Sequence, residues 1–237
     1  MEKIHIQLKE GQKVFFTSDL HIGHRNVLRF CNRPFLDEKD MLKGLVENWN
    51  SVVGEEDIVF DLGDMFWWDS RHEIKKVISK LNGKVYKIPG NHDMDVKRLF
   101  ELCDPEKVKV CEPIVALYLE GLTKEESWEN RKVQEIWLCH MPLATWPHWE
   151  FTIQLFGHIH SGPLAENAVD VVGKDLLLNK SQYDVGVDNN DFKPIEIREI
   201  FEKLRKQKAQ LQRYRTEMKS ASQNFYWEEE RDKDFLQ

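Results

Sequence analysis

Close cysteine pairs are missing from this chain. Cys31, Cys103, Cys111 and Cys139 are scattered, with no C-x-x-C spacing among them. That excludes a C-x-x-C site, and a chain of this size does not depend on disulfide staples. Reduced thiols in a cytoplasmic protein are expected. Long apolar runs are missing too, since nothing approaches the roughly 18 residues that a membrane span needs. The opening stretch MEKIHIQLKEGQKVFF has no apolar core of the kind a signal peptide carries, so no membrane partner is expected. Nor is positive charge in excess. Lysine and arginine number 34 against 41 aspartates and glutamates, a formal net charge of -7. That balance does not advertise a surface for nucleic acid or for anionic membrane. Internal repeats and low-complexity tracts are absent as well.

What the chain does have is 41% hydrophobic residues over 237 positions, enough for one domain with a sizeable core and an appendage. Short apolar, β-branched runs recur: KVFFTSDL, DIVFDLGD, KVYKIPGN, PIVALYLE, EIWLCHMP, TIQLFGHI and QYDVGVD. Each has strand length and is bounded by turn formers. Between the first two, DEKDMLKGLVENWNSVV places Met41, Leu42, Leu45, Val46 and Trp49 on one helical face, with Asp37 as N-cap. A second helix fits SRHEIKKVISKLNG, with Ile74, Val77, Ile78 and Leu81 inward and Gly83 just past its end. Strand and helix alternate in the first half and strands dominate the second, a pattern that predicts an α/β or mixed sandwich. The polar segment 121–132 reads as a long hairpin loop, and 165–180 as a loop or lid. From Pro194 the chain turns charged, with Ile197, Leu204, Leu211 and Met218 seven apart. Either one amphipathic helix lies against its own domain or the helix is a dimerisation arm, although Gln207 sits where the arm would want an apolar residue. The division expected is a domain over 1–200 and a charged C-terminal helix or tail over 201–237, in a monomer or in a dimer joined through that helix.

Polar, metal-capable side chains gather at the downstream ends of five of these runs. FFTSDLHIGH ends in Asp19, His21 and His24, and IVFDLGD in Asp61 and Asp64. VYKIPGNHD ends in Asn91, His92 and Asp93, IWLCH in His140, and LFGHIH in His158 and His160. Strand ends on one side of a sheet form a rim, and in open α/β sheets the carboxyl rim is where ligands bind. Residues i and i+2 of an extended chain point the same way, so Asp19 with His21, and His158 with His160, can converge. Gly63, Gly90, Gly157 and Gly162 allow tight turns and close backbone approach there. A lone histidine after a strand is more often a satisfied core or surface residue, and GNHD alone could be a turn. With six of the nine histidines in this one arrangement, coincidence is the weaker reading.

Imidazoles, carboxylates and one amide suit Zn, Mn, Fe or Ni better than an iron–sulfur cluster. Seven such donors are too many for one cation with an open position. They suit two cations about 3.5–4 Å apart that share a carboxylate. Asp64 falls centrally in the series and offers two oxygens, which makes it the natural bridge. Two such cations lower the pKa of a shared water and neutralise phosphate oxygens as charge develops. The chemistry indicated is metal-assisted hydrolysis of a phosphate ester.

The ordered set SDLH, GD, GNHD, a lone histidine and GHIH resembles the calcineurin-like metallophosphoesterases. FTSDLHIGHRNVLRFCNRPF and VGVDNNDFKPIEI are similar to a bacterial and phage subgroup of small members. The resemblance implies a four-layer αββα sandwich of two mixed β-sheets flanked by helices, with a C-terminal helical extension. It implies one divalent cation on Asp19, His21, Asp64 and His160 and a second on Asp64, Asn91, His140 and His158, with manganese favoured in vitro. A hydroxide bridging them would attack phosphorus in line. His92 would contact the phosphate and stabilise or protonate the leaving oxygen, and Asp93 would orient His92 through its other ring nitrogen. His24 and Arg25 would touch the substrate phosphate. Asp61 would support the site from behind or lie at the surface. Trp67 stands where many relatives carry a further Asp or Asn. Trp67, Trp68, Trp146 and Trp149 either stack a nucleobase or another planar part of the substrate, or pack between elements. The substrate expected is a phosphate monoester or diester, nucleotides included. A nuclease is the alternative, disfavoured by the net acidity. A non-catalytic interaction scaffold of the same fold is the third reading, disfavoured because every ligand position is filled.

Overall fold

The computed structural model describes residues 1–68, 70–93, 95–161 and 181–207. The expected loop or lid at 165–180, Gly162, and the heptad positions Leu211 and Met218 lie outside the described residues. Among the described residues, ten strands form two five-stranded sheets. One sheet has the order β10-β2-β3-β4-β5, from Ile195–Glu196, Val14–Thr17, Ile58–Asp61, Lys84–Lys87 and Val108–Val110. The other has the order β1-β6-β7-β8-β9, from Glu2–Gln7, Ile114–Glu120, Gln134–Cys139, Ile153–Phe156 and Gln182–Asp184. Both are mixed: β10 is antiparallel to β2 and β6 to β7, and the remaining pairs are parallel. The result is the expected α/β sandwich of two mixed sheets with helices packed outside.

The apolar runs are continuous because both faces of their strands are buried. In β2 and β3, Phe16 and Phe60 point between the sheets, into a core with Leu117, Leu138 and Leu155. Phe15 and Val59 point the other way, against Met41, Leu45, Trp49, Ile74 and Val77. These belong to α2 (Glu38–Val52) and α3 (Arg71–Ile78), which cover that sheet with the short α1 (Arg25–Phe30). On the outer face of the other sheet, Leu143 and Trp146 pack over Ala116 and Trp137. Asp37 caps α2 as expected, its side chain accepting from Lys39 and Asp40 N–H at 2.9 and 2.8 Å. The second helix is shorter than its periodicity predicts. Lys80 and Leu81 N–H bond to the carbonyls three residues back, which tightens the last turn and ends the α-helix at Ile78. Leu81 still buries, and Gly83 makes the turn into β4 at a φ of +75°.

Two strands carry signals too short to read alone. β1 has only Ile4 and Ile6 on its buried phase, and β5 is three residues long. The 121–132 segment does join the β6–β7 hairpin, but Trp128 anchors it by packing on Phe201. Residues 197–207 are helical. Ile197, Ile200, Phe201 and Leu204 are fully buried in the same core as the two sheets, so this part of the C-terminal helix lies on its own domain. No helix among the described residues is long and apolar enough to cross a membrane.

Phe60 stacks between Phe16 and Tyr86, with ring centroids at 5.5 and 4.8 Å. Phe60→Ala is expected to destabilise the fold by about 3–5 kcal/mol, read as a lowered urea midpoint with an unchanged m-value.

Candidate metal centre

Because β2, β3 and β4 are parallel neighbours, their carboxyl ends emerge side by side. The chains beyond β2 and β3 stay zipped together: Asp19 N–H donates to the Gly63 carbonyl at 3.0 Å and His21 N–H to the Asp64 carbonyl at 2.9 Å. The ends of β7 and β8 come from the facing sheet. His158 N–H reaches across to Asp19 Oδ2 at 2.9 Å and joins the two rims. Two glycines make room for this convergence. A Cβ on Gly90 would stand 2.1 Å from Asp64 Oδ1, and one on Gly157 2.2 Å from Asp19 Oδ2.

The donor atoms meet in two overlapping groups. In one, Asp19, His21 and His160 present donor atoms within 4.8 Å of one another. His21 Nε2 and His160 Nε2 each lie 3.9 Å from Asp19 Oδ1, and His21 Nε2 lies 4.0 Å from Asp64 Oδ2. In the other, Asp19, Asp64 and His140 satisfy the same limit. His140 Nε2 is 3.2 Å from Asp64 Oδ2 and 2.9 Å from Asn91 Oδ1, and the His158 ring lies 5.2 Å from the His140 ring. Asp64 touches both groups. Two donors each about 2.1 Å from one ion sit about 3–4 Å apart, which is the spacing found here.

Several features fit a cation. Asp19 Oδ1, the oxygen that faces His21 and His160, is buried with no hydrogen-bond partner, a condition that native structures rarely tolerate. Asp19, His21, Asp64, His158 and His160 all have positive φ, from 45° to 71°, a backbone strain that clusters at functional sites. Burial, with the positive neighbours His160 and Arg33, holds His21 well below the ordinary histidine range, so it is a neutral imidazole. Burial alone would raise Asp64, but the bonds from His140 and from His92 N–H outweigh it and keep the carboxylate ionised.

Buried side chains behind the rim fix these groups. His140 Nδ1 faces the Leu62 carbonyl at 2.9 Å, so that nitrogen carries the proton and Nε2 is left for the site. Asp61 is fully buried, not at the surface, and pairs with Lys87 Nζ at 2.5 Å. Lys87 also holds Asp93 at 2.7 Å. Burial, reinforced by Asp93 and opposed by Lys87, raises Asp61 to about 7. Asp93 bonds to backbone and not to the His92 ring. Its Oδ2 accepts from the backbone N–H of Asp64 and of Gly90, both at 2.8 Å, and no bond joins it to the His92 ring among the described residues. The two side chains leave the turn in opposite directions: Asp93 is buried and His92 exposed.

His24 and Trp67 line the mouth. Their rings are stacked at 3.8 Å, and Trp67 lies 4.9 Å from the His92 ring. Arg25 is exposed and makes no hydrogen bond or ion pair with the cluster among the described residues. Trp68 stacks on Phe66, and buried Trp146 bonds to Thr152, so both are packing residues. Trp149 is exposed. Sequence reasoning gave no role to Lys87, Arg33 or Asp188. Lys87 had a signal, because it falls on the buried phase of β4 with Val85. Cys31, His160 and Asp188 also lie within 4.8 Å, but Asp188 is taken by Arg33 and by His160 Nδ1, which leaves that trio no open donor set.

Lys87→Met should leave Asp61 and Asp93 facing each other without their cation. A loss of about 3–5 kcal/mol is expected at neutral pH. The deficit should narrow as pH falls. Lys87 is what opposes the upward shift of Asp61, so without it Asp61 is raised further. The variant then gains more than the wild type when that carboxyl is protonated, a gain lost again as pH rises. Denaturant titrations at two pH values measure both effects.

Comparison with known proteins follows the same residues. A family model described as calcineurin-like phosphoesterase matches residues 12–188. An uncharacterized protein of Methanocaldococcus jannaschii, MJ1445, is 42% identical over 85 residues, which cover 35% of this chain and 47% of that protein. The Gene 66 protein of Mycobacterium phage L5 is 39% identical over 82 residues, covering 33% of this chain and 39% of that one. The chain thus spans less than half the length of these curated relatives. A crystal structure of AQ665, a protein of unknown function from Aquifex aeolicus, aligns over 80% of this chain and 98% of its own with a TM-score of 0.54. At 24% identity that likeness concerns the fold alone. The family match spans most of the chain, from just before β2 to Asp188, and contains every residue placed at the rim: the chain belongs to the calcineurin-like phosphoesterase family.

Proposed function

We propose that the protein is a hydrolase of phosphate mono- or diesters that uses two divalent cations. Asp19, His21, Asp64 and His160 would hold one, and Asp64, Asn91, His140 and His158 the other. The observation that carries this reading is the position of Asp64, whose Oδ2 lies between His21 and His140. When bound, the two cations would supply a water of lowered pKa and offset the charge that develops on the phosphate oxygens. The donor set of imidazole, carboxylate and amide suits Mn, Fe, Zn or Ni.

The remaining work falls to side chains at the mouth. His92 is exposed beside the cluster, its backbone N–H held by Asp64 Oδ1 at 2.9 Å. From there its ring is proposed to donate to a phosphate oxygen and to deliver a proton to the leaving oxygen. Asp93 serves it indirectly, by fixing the turn on which it rides. His24 would meet the phosphate from the other side, under Trp67. Trp67 is 46% exposed and part of the mouth, which makes it the tryptophan placed to stack on a planar group of the substrate.

Purified protein is expected to hydrolyse bis-p-nitrophenyl phosphate or p-nitrophenyl phosphate with added Mn²⁺, and chelation should stop it. Asp64→Ala should lose metal and turnover together. His92→Ala should retain metal and lose about 100-fold or more in kcat; metal analysis that found a depleted site in this variant would refute its role. Trp67→Ala should raise KM by about tenfold for aryl or nucleotide esters and leave alkyl esters unchanged, since stacking is worth about 1–3 kcal/mol. Equal losses on both classes would count against stacking.

A further inference from the structure

Arg33 is 5% exposed and lies between α1 and α2. Its guanidinium is committed on every side. Nε and Nη2 form a fork on Asp188, at 2.8 Å to each carboxylate oxygen. Nη2 also donates to the Asp19 carbonyl at 2.6 Å, and Nη1 to the Leu20 carbonyl at 2.7 Å. Asp188 sits in the 3₁₀ turn Val187–Asn189 that follows β9. Its Oδ2 lies 2.7 Å from His160 Nδ1. A carboxylate at that nitrogen fixes the proton there and turns Nε2 towards Asp19. A lysine could not replace this planar fork, which engages a carboxylate and two carbonyls at once.

The two histidines at equivalent places in the cluster are therefore supported differently. His160 is backed by an ionised carboxylate that Arg33 holds, and His140 by the neutral carbonyl of Leu62. Carboxylate support raises the basicity of a ligand imidazole more than carbonyl support does. Arg33 and Asp188 touch Asp19 and His160 but make no hydrogen bond to Asn91, His140 or His158 among the described residues.

We propose that Arg33 and Asp188 are positioning residues that make the two cation sites unequal, so that the site of Asp19, His21, Asp64 and His160 binds more tightly and fills first. This rests on the two-cation reading above. Buried ion pairs of this kind add little net stability compared with apolar packing. Their effect lies in geometry: Arg33 ties the Asp19–Leu20 backbone and the Asp188 turn into one unit, and Asp188 passes that order to His160.

Calorimetric titration of Mn²⁺ into chelator-treated full-length protein tests this without an activity assay. The wild type should show two classes of site. Asp188→Asn should weaken the tighter class by about 10- to 100-fold and leave the weaker class unchanged. Arg33→Lys keeps the charge but loses the fork, and should shift the same class. Circular dichroism melts verify that each variant is folded. Two equal classes in the wild type, or variants that weaken both classes alike or neither, overturn the proposal. A wild type that takes up no Mn²⁺ overturns the two-cation reading itself, which keeps the two failures apart.

Discussion

A rim that buries carboxylates needs positive charge to balance them. Asp19, Asp61, Asp64, Asp93, Asp184 and Asp188 are all buried at or just beyond the ends of β2, β3, β4 and β9. The lysine and arginine buried beside them are Lys87 and Arg33. Each is used fully: Lys87 on Asp61 and Asp93, Arg33 on Asp188 and on two carbonyls. Asp184 is held by Ser161 and by Gly186 N–H. Asp19 and Asp64 are left with imidazoles and single backbone N–H groups. An uncompensated buried anion is strongly destabilising, by several kcal/mol. The anionic surplus is concentrated on the two carboxylates that face the histidines, so the same charge imbalance that burdens the fold suits the pocket to divalent cations.

Such a centre can exist only where the surrounding structure is rigid. Left-handed backbone at an ordinary residue costs of order 1 kcal/mol, and the cluster contains several such residues. They are held by packing on both sides. The core between the sheets grips Phe16, Phe60 and Leu155, and the core under α2 and α3 grips Phe15 and Val59. Strand interiors set the direction of each chain, and the residue just past the strand then turns sharply to present its donor. Thr17 leads into Asp19, Asp61 into Asp64, and Phe156 into His158 within two or three residues. No flexible loop separates the scaffold from the donors, which is what placement to within a fraction of an ångström demands.

Much of this is legible in the sequence, and the reason is locality. A strand followed at once by a donor is visible in one short run, so Asp19, Asp64, Asn91, His140, His158 and His160 stand out from their neighbours in the chain alone. α2 is legible for the same reason: its cap and its apolar stripe are neighbours in sequence. What is not legible depends on distant pairs. Arg33 and Asp188 are 155 residues apart, and nothing near Arg33 announces a buried role. Lys87 is half legible, because a lysine in phase with Val85 is out of place on a buried face. Adjacency also misleads. His92 and Asp93 are neighbours in GNHD, which suggests a hydrogen-bonded pair. In the turn that GNHD makes beyond β4, His92 is exposed while Asp93 is buried against Lys87.

That split within GNHD bears on how the site can act. The inner histidines each have a second contact that fixes the ring: the Leu62 carbonyl for His140, and Asp188 for His160. His92 has its backbone held by Asp64, while its ring meets Trp67 and the edge of His21. Groups that must hold an ion gain from immobility, because every degree of freedom lost beforehand is one not lost on binding. A group that delivers a proton has a different requirement. It must follow the leaving oxygen as the bond to phosphorus breaks, and catalytic hydrogen bonds often tighten only once the substrate is in place. On the proposed role of His92 as proton donor, Asp93 would meet both demands. It anchors the turn through Gly90 and Asp64 N–H, while the exposed His92 ring is held by no hydrogen bond among the described residues.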